Sequence, residues 1–290
     1  MLETILVPLD GSAGAEIALP FATEIAARAR ANLILATAAP PDTRDMEPLY
    51  HSYLERARKL AQVQLRNAGA ENAKIYFHVL PGTPAEAILR YADEAGAGLI
   101  VMARRGADTR GPWLLGGVVS KVIRASLHPV LVVKKAAAMG KSIRKILVPL
   151  DGSPAGESAL LVAEALARTL GSTLVLYHAI EPVAAWAGYG LGAGYSAAQE
   201  PAHTRDDAPG YLEGVRQRIA TKGLDVSAVT EEGLPADLIL SYAQNQGVDL
   251  IALATHGRTG VGRWVLGSVT EKVISYAEVA ILVARTGLPV

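Results

Sequence analysis

The sequence predicts an α/β protein made of two similar domains, each a five-stranded parallel sheet with helices on both faces. Three observations predict it. The octapeptide ILVPLDGS stands at residues 5–12 and again at 146–153, too long a string to recur by chance. After each copy, short apolar runs alternate with Ala-rich amphipathic stretches in the same order, giving βαβαβαβαβ twice. Hydrophobic residues make up 50% of the chain and aromatics only 5%, which suits sheets covered by small-residue helices. Right-handed crossovers between parallel strands then place helices over both sheet faces.

Each element follows from its own stretch. ILVPL is the first strand of each half, and an Ala-rich helical pattern succeeds it. ANLILATAAP (31–40) and STLVLYHAIEP (172–182) supply the second strands. GTPAEAILRYADEAGAGLIVMARRG (82–106) matches GLPADLILSYAQNQGVDLIALATHG (233–257), each reading as a helix followed by a buried strand. These are offset by 151 residues, whereas the octapeptides are offset by 141, so ten residues were inserted between them. The extra length falls around 184–210, which shows no helical or strand period and is predicted to be a long mobile loop. SKVIRASLHPVLVVKK and TEKVISYAEVAILVAR close the halves with a helix and a β-branched strand. The domains are therefore placed at 1–137 and 142–290, joined by AAAMGKS at 136–142.

Composition removes several classes of function. Lys plus Arg equals Asp plus Glu at 28 each, so no basic field exists to hold nucleic acid. The absence of cysteine excludes disulfides, thiolate zinc sites and cysteine nucleophiles. The acidic start MLETILVPLDGS lacks the pattern of a secretory signal, and no apolar run reaches the ~18 residues of a membrane span, so a cytoplasmic protein is expected. P-loop, GxGxxG, GxSxG and HExxH motifs are absent, and the six histidines form no metal-ligand cluster in sequence.

In open parallel sheets ligands gather at the carboxyl ends of strands, where the strand order reverses. Two features converge there. Asp10 and Asp151 directly follow the ILVPL strands, and glycine-rich stretches follow the strands LIVMA and LIALA: ARRGADTRGPWLLGG (103–117) and ATHGRTGVGRWVLGS (254–268). A carboxylate at that place can accept from sugar hydroxyls, and a glycine stretch opening a helix can cradle phosphate. Structural roles compete. Asp151 can simply form a turn with Ser153 as cap, and SVTE (268–271) fits a capping box in which Ser268 and Glu271 satisfy the helix start. His178, Trp113 and Trp264 are read as packing residues.

These motifs resemble the universal stress protein family in its tandem-domain form, across nearly the whole chain. ATP-binding members carry G-x-x-G, nine residues, then G-S or G-T. Here Ala254, Thr255, His256 and Gly257 are followed after nine residues by Gly267 and Ser268, with alanine in place of the first glycine. The resemblance implies a Rossmann-like fold of the adenine nucleotide alpha hydrolase type. It implies that Asp151 contacts ribose, the backbone near Ala179 meets adenine, and Gly257, Gly267, Ser268 and Val269 surround the phosphates, with Pro149 and Ala254 alongside. The first half carries a degraded counterpart in Pro8, Asp10, Ala38, Ala103, Gly106, Gly116, Gly117 and Val118. It loses the terminal hydroxyl and replaces His256 by Arg105. There Asp108 adds negative charge that Arg104, Arg105 and Arg110 offset only when turned inward.

The resemblance further implies that the last strands, 129–133 and 279–283, pair across the two domains, hiding two sheet edges. The function it implies is an ATP-binding stress or regulatory module, in which occupancy alters the 184–210 loop and a surface for an unidentified protein partner. Two alternatives remain at this level: a slow ATPase or nucleotidyl-transfer enzyme assisted by Asp206 or His203, and an interaction scaffold with decayed sites. ATP against AMP or ADP, accompaniment by Mg, and homodimerisation of the intrachain pseudo-dimer are left open.

Overall fold

The computed structural model describes residues 2–104, 115–134, 142–181, 208–255 and 266–285. In the first half, strands β1 (Thr4–Pro8), β2 (Asn32–Ala39), β3 (Ile75–Pro81), β4 (Leu99–Ala103) and β5 (Val130–Val133) alternate with helices. These are α1 (Ala13–Glu16), α2 (Ala18–Ala29), α3 (Glu47–Asn67), α4 (Pro84–Glu94) and α5 (Gly117–Ala125), with a 3-10 segment at Pro41–Met46. The second half repeats the plan with β6 (Lys145–Pro149), β7 (Thr173–Ile180), β8 (Val226–Glu232), β9 (Leu250–Ala254) and β10 (Ala280–Ala284). Its helices are α6 (Ser158–Leu170), α7 (Ala208–Ala220), α8 (Pro235–Asn245) and α9 (Ser268–Tyr276).

The strands form one ten-stranded sheet in the order β3-β2-β1-β4-β5-β10-β9-β6-β7-β8. Within each half all pairs are parallel, and β5 and β10 join the halves antiparallel. The expected pairing of the last strands is therefore present. Its register is informative: Leu131 lies opposite Leu282, 151 residues away, which is the offset that relates the repeats in this region. Leu131 thus meets its own counterpart at the centre of the seam, and the pairs Val130 with Val283 and Val132 with Ile281 flank it symmetrically, as in an isologous dimer built inside one chain.

Burial on both faces explains the near-continuous apolar strands: β4, β5, β9 and β10 are buried at every position. One core layer takes the inward stripes of α2, α3, α6 and α7, and the other those of α4, α5, α8 and α9. Small residues such as Ala18, Ala22, Ala159 and Ala163 let α2 and α6 lie close to the sheet and to each other across the seam.

The predicted 184–210 loop ends earlier than its composition suggests. Ala208, Pro209 and Gly210 form the first turn of α7, where proline's fixed φ and missing N–H are tolerated. Residues 182–207, with His203 and Asp206, lie outside the described residues, as does most of the 136–142 junction.

Candidate functional site

Each half has its strands in the order 3-2-1-4-5, so the connections leaving the first and fourth strands run to opposite sides. A crevice results at the carboxyl ends of β1 and β4, and another at those of β6 and β9. Because β5 and β10 are antiparallel, the two crevices open at opposite edges of the sheet.

The two Asp-Gly-Ser turns stand at these crevices. Asp151 Oδ1 accepts from Ser153 N (3.0 Å) and Ser153 Oγ (2.7 Å), and Ser153 Oγ accepts from Gly156 N (3.0 Å). Asp10 repeats this with Ser12 N (3.0 Å) and Ser12 Oγ (2.6 Å), while Ser12 Oγ accepts from Ala15 N (3.1 Å). Gly11 and Gly152 have φ of 87° and 82°, the left-handed conformation that a side chain disfavours. Ser12 caps α1 directly, whereas Ser153 holds a separate turn ahead of α6, which is capped by Glu157. The turn expected of Asp151 is therefore present, whereas Ser153 braces that turn instead of capping α6. In both halves the bonds fix one carboxylate oxygen of the Asp while the turn stays at the crevice.

No sequence motif marks Gly156. A Cβ there would lie 2.5 Å from Asp151 Oδ1, so this turn requires glycine beside the carboxylate. Ala15 occupies the matching place in the first half, where the chain is helical instead. The duplicated string ILVPLDGS hides this difference, because it begins three residues downstream.

On the other side of each crevice the glycine stretch closes on itself. Gly267 N donates to Thr255 O (2.9 Å), and Gly116 N donates to Arg104 O (3.1 Å). The stretch thus leaves and re-enters at one point. Its middle, including Gly106, Gly257, Arg105, Asp108, Arg110, His256, Trp113 and Trp264, lies outside the described residues.

This tether corrects the capping-box expectation. Gly267, extended at φ −60° and ψ 146°, is the cap of α9, and Ser268 is its exposed first helical residue with no capping hydrogen bond. Glu271 instead pairs with Arg124 of the first half (2.8 Å). The Thr255 bond sets the helix start one residue earlier than the S-x-x-E pattern implies. Since the first helical bond is Glu271 N to Gly267 O (2.8 Å), the N–H groups of Ser268, Val269 and Thr270 precede the helical ladder. In the first half, Gly116 caps α5 in the same way, and Gly117 and Val118 occupy its first turn.

Ala254 and Ala103 end β9 and β4. The Ala254 methyl belongs to the core layer on the α6 and α7 side, opposite the layer that packs α9. Thr270 Oγ1, buried, donates to Ala254 O (2.9 Å) and ties α9 to the strand end. The alanine that replaces the family glycine therefore fills core space.

Ala179 gains its position from strand geometry. Leu150 N donates to Tyr177 O (2.8 Å) on the β6 side, and Gly233 N donates to Ile180 O (3.0 Å) on the β8 side. Backbone groups alternate along a strand, so those of Ala179 face the β6 side. The last pair there is Pro149 with Tyr177, which leaves Ala179 beyond the end of β6 at the mouth of the crevice. Ala38 stands likewise beyond the pair Pro8 and Ala36.

Two other expectations resolve. His178 is buried at 3% exposure, 6.5 Å between ring centroids from Tyr211. Burial, then the neighbouring Glu157, pushes the Tyr211 hydroxyl well above the usual tyrosine range, and it donates to Glu157 at 3.0 Å. Arg104 is 3% exposed, and its Nη2 donates to Ser275 O at the far end of α9. The antiparallel seam brings that helix end to the first half's crevice edge, and an electronegative helix C-terminus attracts a guanidinium.

Among the described residues, no group of three His, Asp or Glu side chains could hold a metal ion, and no helix is long and apolar enough to cross a membrane. Comparison with known proteins agrees with the fold. The family model described as the universal stress protein family matches twice, at residues 1–134 and 142–285. A universal stress protein of Mycobacterium tuberculosis is 31% identical over 205 residues, covering 70% of this chain and 66% of its own length, just under two thirds. One from Methanocaldococcus jannaschii is 26% identical over 51% of this chain and 98% of its own length. The crystal structure of a universal stress protein from Archaeoglobus fulgidus superposes with a TM-score of 0.74 at 21% identity, covering 99% of this chain and 100% of that one.

Proposed function

The chain belongs to the universal stress protein family, and on that premise we propose that its second half binds ATP at the crevice between β6 and β9 and serves as a nucleotide-dependent regulatory module. The observation that carries the reading is the convergence at one switch point of a carboxylate turn and a helix start. Asp151 stands on one side, and the first amides of α9, which precede its helical ladder and are tethered through Gly267 to Thr255, stand on the other. A helix N-terminus offers donors and a partial positive charge to phosphate, and the carboxylate suits ribose hydroxyls. Ala179 presents backbone groups where a base would lie, beside Pro149. Val269 and Ser268 supply amides, and Gly257 extends the cradle as the family motif implies. Any Mg would arrive with the triphosphate and be held chiefly by it.

The domains are taken as 1–137 and 142–290. In the first half Asp10, Gly116, Gly117 and Val118 keep the backbone plan, but the hydroxyl at the helix start is gone and Arg104 is drawn into the seam. We assign that half weaker nucleotide binding and a structural share. Calorimetric titration of the full chain with ATP tests the assignment. Asp151→Ala combined with Gly267→Val is expected to lower affinity at least tenfold, while Asp10→Ala leaves the main isotherm in place. Tight binding that survives the double substitution would rule the second-half site out.

A further inference from the structure

We infer that Glu231, positioned by Tyr177, accepts a hydrogen bond from the exocyclic amino group of the base and so makes the second half selective for 6-aminopurine nucleotides. The inference rests on the adenosine-nucleotide reading of that half and adds a residue that reads the base.

Glu231 lies in β8 directly opposite Ala179 of β7. Side chains at paired positions of parallel strands project from the same sheet face. Tyr177 and Ala179 belong to the layer that packs α8 and α9, so Glu231 projects from that face too. Pro149 shares it, being two residues beyond Leu147, which is in the same layer. A base resting on Pro149 and reaching Ala179's backbone therefore has Glu231 as its neighbour on the far side of β7.

The carboxylate is held in place. Tyr177 is fully buried, and its hydroxyl donates to Glu231 Oε2 at 2.7 Å. Burial, followed by that bond, pushes the Tyr177 hydroxyl well above the usual tyrosine range, so it remains a donor at neutral pH. The Tyr242 ring lies 5.1 Å from that of Tyr177 and backs it. Glu231 Oε1 has no hydrogen-bond partner among the described residues. A partly buried acceptor beside a base position therefore has capacity to spare, and an amino group is the donor that adenine offers.

The repeat supplies an internal comparison. At the matching register positions the first half has Ala36, opposite Pro8, and Leu80, opposite Ala38, both buried. Tyrosine is kept at Tyr91, the counterpart of Tyr242. Only the pair able to hold and present a carboxylate is missing, so that half has no side chain here to read an amino group.

The test compares ATP with purine riboside 5′-triphosphate, which lacks the 6-amino group, in calorimetric titrations of the full chain. The unsubstituted protein is expected to prefer ATP about tenfold, the scale of one hydrogen bond to a charged acceptor. Glu231→Leu, which installs the first half's residue, should bring the two affinities together, and Glu231→Gln, which keeps an acceptor, should leave an intermediate ratio. Tyr177→Phe should narrow the ratio while keeping the ring in its packing, providing a second reading should Glu231→Leu fail to fold. A role in packing alone would change both affinities equally. Equal affinities in the unsubstituted protein, or a ratio unmoved by these substitutions, overturns base reading and leaves ATP binding standing. Failure to bind either nucleotide overturns the site itself.

Discussion

At the scale of single residues, the repeat turns each substitution into a comparison with a twin. Arg30 ends α2 in the left-handed conformation at φ 55°, and Gly171 ends α6 in the same place at φ 70°. A side chain in that region crowds its own carbonyl, whereas glycine enters freely. Arg30→Gly should therefore stabilise the protein by about 0.5–1 kcal/mol, read as a higher urea midpoint with an unchanged slope. A midpoint that stays or falls would show that the Arg30 side chain offsets its strain. Gly156→Ala acts in the opposite sense: a Cβ 2.5 Å from Asp151 Oδ1 forces the turn open, costing about 1–3 kcal/mol and weakening ATP binding. Native stability together with unchanged ATP affinity would refute that. Asp151 and Ser153 were legible because an Asp-Gly-Ser string after an apolar strand announces its turn. Gly156 was not, since its need for a missing Cβ depends on where the carboxylate folds back. Ser268 misleads for a related reason: S-x-x-E is a local pattern, and the cap, Gly267, is set by its bond to Thr255, twelve residues earlier.

At the scale of elements, helices α5 and α9 do more than cover the sheet. Each starts at its own crevice and ends against an arginine of the other half: Arg104 donates to Ser275 O, and Arg285 Nη1 donates to Ala125 O (3.3 Å) and Ser126 O (3.4 Å). Guanidinium groups at carbonyl ends complement the helix dipole, so Arg285→Met should lower stability by about 1 kcal/mol. Thermal unfolding at matched pH measures it, and an unchanged midpoint would dismiss the contact. Strand and helix order was readable from apolar periodicity, and the ten-residue insertion from the change of offset. These seam contacts were not, because nothing in the sequence neighbourhood of Arg104 points to Ser275. Elements also set the alkaline limit. Tyr53 of α3, Tyr177 of β7 and Tyr211 of α7 all have pKa values raised above the ordinary tyrosine value of 10.0, in each case chiefly by burial. A raised folded value favours the protonated native state, so this stability is complete below about pH 10 and is lost as pH rises beyond it. The urea midpoint should hold up to about pH 10 and fall above it, with tyrosinate absorbance rising in step with unfolding. Tyrosinate formation in a still-folded protein would contradict the burial argument.

At the scale of the whole molecule, the question is whether two copies of a domain behave as two units or one. The composition allows either, and the pairing of the last strands follows from the family resemblance rather than from periodicity, while its antiparallel sense is seen in the structure. The seam makes one unit physically reasonable. Leu131 and Leu282 face each other fully buried at its centre, α2 packs on α6 across it, and a single core layer contains residues of both halves. Charged pairs flank it, Arg124 with Glu271 at 2.8 Å and Lys134 with Glu278 at 3.0 Å. Opening that seam would expose two apolar strand edges, a state that association and proteolysis punish. Unfolding should therefore appear as one calorimetric transition, with the van't Hoff and calorimetric enthalpies in agreement. ATP bound in the second half alone should then shift that whole transition upward, by about 2.7 kcal/mol of stability at a hundredfold excess over the dissociation constant. Probes in β1 and β2, remote from the occupied crevice, should move with it. Two transitions of which ATP shifts only one would mean that the halves are independent domains sharing a sheet, and that the seam transmits no stability from the second site to the first.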